Sequence, residues 1–325
     1  MKRRSFLSIA SLSALSLPAC QKQPADANAP VRFGHFPNIT HLQGLVAHQL
    51  SRQGKGWYES RLSVPVEWFT YNAGPSATEA IFGGALDVTY IGPSPVLNAY
   101  ARAKSTEMRI LAGAANGGSS LMVRPAANLK TLADFKGKKI ASPQLGNTQD
   151  VQLRALLAEH GFTITQTGGD VTILPTQNAD LLNLFQSGDL DGAWAPEPFA
   201  SILELEAGAQ NFLEDKDTNV TLLASSAAFF KARPELARKV AAAHRELTDW
   251  IKAHSQEARE LAVAELKALT SKEPKAAVLD KALPRVFLTN EISRPSLEKM
   301  VAGAKAAGFL KDIPSLDALL SSLTP

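Results

Sequence analysis

Short apolar runs alternate along this chain with longer stretches in which apolar positions recur every three or four residues. Val31 to Phe36 reads as a strand, Thr40 to about Arg52 as an amphipathic helix, and Val64 to Tyr71 as a second strand. The rhythm continues with a helix over Ser76 to Phe82, a strand over Asp87 to Ile91 and a helix over Ser94 to Ala103. Met108 to Ala114 is a strand, and Leu121 to Val123 another, beyond a glycine-serine turn. Strands at Lys139 to Ala141, Asp170 to Leu174 and Gly192 to Trp194 then alternate with helices at Gln149 to His160, Ala179 to Gln186 and Pro198 to Glu206. Val220 to Ala224 is a strand, and from Pro234 to Leu320 the pattern is almost wholly helical. This alternation predicts an α/β fold of mainly parallel sheets flanked by helices, with a helical C-terminus.

The order of elements also echoes itself. Gly84-Ala85-Leu86-Asp87 precedes an apolar strand and then Pro93-Ser94-Pro95. Gly188-Asp189-Leu190-Asp191 precedes an apolar strand and then Pro196-Glu197-Pro198. Two similar α/β lobes are the economical reading, and 325 residues suffice for two domains.

Strand-to-helix handovers concentrate small and polar residues. Thr40 and Gln43 have capping-box spacing, as do Ser76 and Glu79. Ser94 followed by Pro95 reads as a cap with proline at the first helical position. The loops Asn72 to Pro75, Ile91 to Ser94, Gly117 to Ser120 and Leu145 to Thr148 share this character. In open α/β sheets ligands bind beyond the carboxyl ends of the strands, and helix N-termini there favour anions. Helix caps also occur in any α/β protein, so each loop alone says little.

Composition removes several classes. Hydrophobic content is 45% and charged content 20%, both ordinary. The formal charge of +3 comes from Lys2, Arg3 and Arg4; without those three the basic residues balance the 31 acidic ones. No basic-aromatic pattern suggests nucleic acid. Cys20 is the single cysteine, which leaves no disulfide within the chain and no Cys-based zinc site. The histidines show no metal-binding spacing, so no metal is expected. His35 reads as a satisfied strand residue, and His41 either as a donor at a helix start or as an ordinary polar residue. No Gly-x-Ser-x-Gly elbow occurs, and Asp170, Asp180 and Glu197 make no acid/base pair by spacing. Trp194 reads equally as core or as the wall for a ligand tail, and Glu197 as a helix cap or as an acceptor.

The start, MKRRSFLSIASLSALSLPAC, has a basic end, a short apolar run and Leu17-Pro18-Ala19-Cys20. It resembles a lipoprotein export signal over residues 1–20, with Cys20 as the lipidated residue. Arg3-Arg4-Ser5-Phe6-Leu7 resembles a twin-arginine motif. Residues 21–30, QKQPADANAP, read as a flexible tether.

Four stretches, GHFPNITHLQGLVA, GALDVTYIGPSPVLNAY, LADFKGKKIASPQLGNTQDVQLRALLAEHG and LFQSGDLDGAWAPEPF, resemble the substrate-binding proteins of bacterial ABC importers for sulfonates, taurine, nitrate and thiamine precursors. They run in family order over Val31 to roughly Ala232. The resemblance implies a two-lobe periplasmic-binding fold of type II character that closes on its ligand by a hinge. Lobe I would hold residues 31–116 and 222–325, and lobe II residues 117–221. Asn38, Thr40, His41, Asn72, Gly74, Ser76, Pro93, Ser94, Gly118, Ser119, Gly146, Asn147, Thr148, Trp194 and Glu197 would line the ligand site. It implies no cofactor, a monomer anchored to the outer face of the membrane by lipid, and a permease with its ATPase as partners. An aliphatic sulfonate or taurine-like solute is expected, with thiamine-precursor, nitrate or bicarbonate binding as the alternative. Two other classes are an enzyme on the same fold, which would need iron-ligating or reactive residues, and a solute sensor signalling to a membrane partner.

Overall fold

The computed structural model describes residues 28–103, 107–165 and 168–320. The export signal, Cys20 and most of the tether lie outside the described residues.

The chain enters with β1 (Val31–His35), a 3-10 turn over Ile39–His41, and helix α1 (Leu42–Arg52). Helix α2 (Trp57–Leu62), β2 (Val66–Thr70), α3 (Gly74–Phe82), β3 (Val88–Ile91), α4 (Pro93–Arg102) and β4 (Met108–Gly117) follow. A second unit contains β5 (Ser119–Val123), β6 (Lys139–Ser142), α5 (Thr148–Glu159), β7 (Thr172–Pro175) and α6 (Leu181–Ser187). It ends with β8 (Gly192–Pro196), α7 (Phe199–Ala207) and β9 (Gln210–Asp215). The chain then returns through β10 (Asn219–Ser226) to α8 (Ala227–Ala232), α9 (Pro234–Ala253), α10 (Ser255–Thr270) and α11 (Ala276–Ala282). The last elements are β11 (Val286–Leu288), α12 (Arg294–Ala306) and α13 (Asp317–Leu320).

Six strands form the first sheet, in the order β11-β4-β10-β3-β1-β2, and five form the second, β7-β6-β8-β5-β9. Each sheet is mixed, where the sequence pattern predicts mainly parallel ones. Strands joined by helical crossovers are parallel, as β1 is to β2 and β3, and β6 to β7 and β8. The strands on which the chain passes between sheets run against them: β10 is antiparallel to β3 and β4, and β5 to β8 and β9.

Both faces of each sheet are covered at the central strands, which read as nearly continuous apolar runs, while the edge strands β2, β7 and β9 are partly exposed. Val31, Phe33, Val88 and Tyr90 pack against α1, α9 and α10, while Ile91, Ile110 and Leu222 pack with α3, α4 and α12. In the second sheet Trp194 joins the core beneath α5, and its neighbours Ala193 and Ala195 face α6 and α7. No helix among the described residues is long and apolar enough to cross a membrane.

Four elements escape the sequence pattern. Helices α2 and α8 have only six residues each, too few to display a period. Strand β9 is a half-exposed edge of mixed polarity, and β11 has three residues within a helical stretch.

Candidate functional site

The carboxyl ends of the first and second sheets face each other across a cleft. The first side contributes Phe36, Asn38, Thr40, His41, Asn72, Ala73, Gly74, Gly92, Pro95 and Val220. The second contributes Pro143, Asn147, Thr148, Gln149, Asn178 and Pro196. Together they enclose a cavity of about 20 Å³, room for a water or two.

Local chemistry explains how these residues arrive. The α5 start is capped as its sequence suggests: Asn147 accepts from the Asp150 N–H at 2.8 Å, leaving Thr148 as the first helical residue. Asp150 also takes the Gly146 N–H at 2.8 Å and the Ser142 hydroxyl at 2.8 Å, and pairs with the fully buried Arg154 at 3.0 Å. This buried frame fixes the loop that presents Asn147 and Thr148. The other caps differ from the spacing rule. Thr40 lies inside the 3-10 turn, with no side-chain cap. Helix α3 begins two residues before Ser76, at Gly74, and its N-cap Ala73 leaves the first-turn N–H groups without a side-chain acceptor. Helix α4 is capped at Gly92, with Pro93 at the first position rather than Ser94 as the cap.

The His41 ring packs at a tilt against Phe36, with ring centroids 4.3 Å apart. Its Nδ1 accepts the Phe36 N–H at 3.4 Å, so Nε2 carries the ring proton. Burial, and then the nearby His35, hold its pKa well below the usual value, so the ring is neutral at pH 7. Among the described residues the cavity lining holds no Lys, Arg, Asp or Glu. Two amide oxygens there, Asn38 Oδ1 and Asn178 Oδ1, are buried without a hydrogen-bond partner. A primary amide can offer either a donor or an acceptor to a solute. With the uncapped start of α3, they make the cavity polar without formal charge.

The two sides touch. Ser94 Oγ donates to the Gly146 carbonyl at 3.2 Å, Asn72 Nδ2 to the Pro143 carbonyl at 3.3 Å, and Gln144 Nε2 to Ser76 Oγ at 3.2 Å. The Ile39 N–H donates to the Glu197 carbonyl at 2.8 Å. A Cβ on Gly92 would lie 2.2 Å from Thr148 Oγ1, so this approach requires glycine.

Of the residues expected in the site, Asn38, Thr40, His41, Asn72, Gly74, Asn147 and Thr148 line the cavity. Ser76, Ser94 and Gly146 form cross-cleft bonds beside it, and Pro93 adjoins Gly92. Gly118 sits one layer away, its carbonyl accepting from the Glu197 N–H at 2.9 Å. Ser119, Trp194 and Glu197 face elsewhere. Trp194 donates from Nε1 to Ser119 Oγ at 2.9 Å inside the core, on the strand face opposite its neighbours. The Glu197 carboxylate is consumed by Arg285 at 3.0 Å and by the Ser201 N–H at 3.1 Å. Phe36, Ala73, Gly92, Pro95, Pro143, Gln149, Asn178, Pro196 and Val220 are added by the structure. Asn178 follows β7 at a strand's carboxyl end, a position that the strand-end rule could have flagged.

A larger apolar groove of about 560 Å³ adjoins the cavity and shares Asn38, Asn72 and Asn178 with it. Tyr71, Leu181, Phe199, Leu266 and Val278 are among its walls.

Comparison with known proteins agrees with this architecture. The sequence profile of a family described as NMT1-like matches residues 25–267. A Brucella abortus protein named as a binding protein is 29% identical over 276 residues, covering 82% of this chain and 80% of its own length. A Bacillus subtilis protein named for binding aliphatic sulfonates is 24% identical, over 79% of this chain and 76% of its own. Among solved structures, the alkanesulfonate-binding protein of Xanthomonas axonopodis pv. citri, bound to MOPS, superposes with a TM-score of 0.67. It is 22% identical and covers 85% of this chain and 91% of its own, a likeness of fold.

Proposed function

From the premise that this chain belongs to the NMT1-like family, we propose that it captures a small anionic or zwitterionic organic solute between two lobes and delivers it to an ABC permease. The observation that carries this reading is the uncharged polar cavity between the two sheets, built from helix starts and buried amides. Helix-end N–H groups suit a sulfonate or carboxylate head, and the amide oxygens suit a solute N–H. The adjoining apolar groove offers room for an organic body.

The lobes in this reading are residues 31–116 with 222–325, and 117–221. Strand β10 pairs in the first sheet from Asn219 onward, a few residues before the second of these boundaries. A cavity of about 20 Å³ is far below the roughly 300 Å³ of ordinary ligand sites, which supports a reading in which the lobes separate to load the solute. A solute that contacts both sides then favours the closed state. Export and a lipid anchor at Cys20 would hold the protein outside the cytoplasmic membrane.

A second reading, a small inorganic anion such as nitrate or bicarbonate, is favoured by the size of the closed cavity. One experiment separates them: calorimetry and thermal shift of the chain without residues 1–20, against alkanesulfonates, taurine, nitrate, bicarbonate and thiamine-precursor pyrimidines. A solute at a hundred times its dissociation constant adds about 2.7 kcal/mol to stability. Thr148→Ala and Asn178→Ala should each weaken the binding solute by roughly 0.5–3 kcal/mol with the fold intact. No shift with any member of the panel would overturn the solute class. Unchanged affinity in both variants would overturn the site.

A further inference from the structure

His35 and His41 are neighbours in sequence but part company in space. His41 lines the cavity, whereas His35, at the end of β1, turns toward α1 and α10. There its Nε2 lies 2.9 Å from His48 Nδ1. That same nitrogen lies 2.7 Å from Glu265 Oε1. His35 and Glu265 are fully buried, and His48 is 8% exposed.

The protons do not suffice for this arrangement. His35 Nδ1 is 3.3 Å from the Phe36 carbonyl, which accepts its N–H and leaves Nε2 as a lone pair. The second carboxylate oxygen of Glu265 takes the Arg52 Nε–H at 2.8 Å, which leaves Oε1 to the interior. Despite its short distance to His48, Oε1 is buried without a hydrogen bond of acceptable angle. His48 Nδ1 can direct one proton to one acceptor, and two acceptors face it. The three ligand atoms all lie within 4.8 Å of one another.

We propose that His35, His48 and Glu265 form a binding site for a divalent transition metal of the zinc type, joining β1, α1 and α10. Two imidazoles and a carboxylate are a set that zinc accepts, with water completing the shell, whereas calcium and magnesium prefer all-oxygen sites. The supporting contacts are those that such a site uses. The Phe36 carbonyl fixes the His35 tautomer, Arg52 orients the carboxylate, and Trp68 stacks on the His48 ring at 5.1 Å and 11°. The sequence shows no motif because the ligands come from three separate elements. The site is distinct from the solute cavity and does not depend on its reading.

The test is metal binding by the tag-free protein, stripped with a chelator and titrated with Zn²⁺ against a chromophoric competitor. One ion per chain is expected, with affinity falling as pH drops from 7.5 to 5.5 because protons compete for the ligands. His48→Gln and Glu265→Gln should each weaken binding beyond the roughly tenfold to hundredfold cost of losing an outer-sphere partner. His160→Gln and His254→Gln, which alter exposed rings, should leave it unchanged. X-ray absorption of the loaded wild-type protein gives an answer even where a variant fails to fold, and two imidazole nitrogens per metal are expected. Absence of stoichiometric binding, binding that survives both ligand variants, or a shell without imidazole would overturn the site.

Discussion

Arg285 reaches toward three carboxylates: Glu197 at 3.0 Å, Glu204 at 2.8 Å and Glu214 at 4.0 Å. Glu197 is fully buried, and burial raises its pKa despite the guanidinium beside it. Arg285→Met would strand that carboxylate, costing about 3–5 kcal/mol at pH 7 in urea unfolding. A carboxyl whose folded-state pKa is raised is tolerated below its unfolded pKa, and costs stability as pH rises through the folded value. The deficit should therefore shrink toward pH 4.5, and a deficit independent of pH would refute the pairing. This pair also marks what the residue scale hid from sequence. "AWAPEPF" locates a strand end, but not the strand face that Trp194 takes, nor a partner 88 positions away. Asn147 and Thr148 were legible because their cap is made within four residues.

At the scale of elements, α9 docks through a buried polar chain. Tyr58 and Tyr90 hydroxyls are 2.7 Å apart, Tyr90 meets His244 Nδ1 at 3.0 Å, and His244 Nε2 donates to the Gly113 carbonyl at 2.7 Å. Burial pushes His244 down to a pKa of about 4. A histidine with a lowered folded-state pKa gives its full stabilisation above its unfolded value of 6.5 and loses it as pH falls toward 4. The His244 share of the unfolding free energy should drop by up to about 1.4 kcal/mol per pH unit across that window, measured by denaturant titration of wild type against the variant. His244→Gln should flatten the slope, and an unchanged slope would assign it to other groups. Most elements could be read from hydrophobic spacing because the central strands of both sheets are buried on both faces. Their starts were less legible: the α3 and α4 N-termini are set by Ala73 and Gly92, not by the serines that follow.

At the scale of the molecule, the chain leaves the first sheet through Gly117 and Gly118, with φ of 69° and 66°. A Cβ on Gly118 would meet Val286 Cγ2 at 2.6 Å and Thr40 Cγ2 at 2.8 Å. Gly118→Ala should therefore destabilise by more than about 1 kcal/mol and weaken solute binding, although residue 118 does not line the cavity. Thermal melts and calorimetry on one preparation would check both, and a neutral outcome would remove Gly118 from any role in closure. The glycine pair could be read as a break, but only strand pairing reveals what lies beside it. Asn116 pairs with Asn219 in the first sheet, and Ser119 with Asp215 in the second. The two crossings thus run as a strap two strands wide. If the proposed closure turns on this strap, its stiffness would set affinity apart from every solute contact, open to retuning while the recognition chemistry stays fixed.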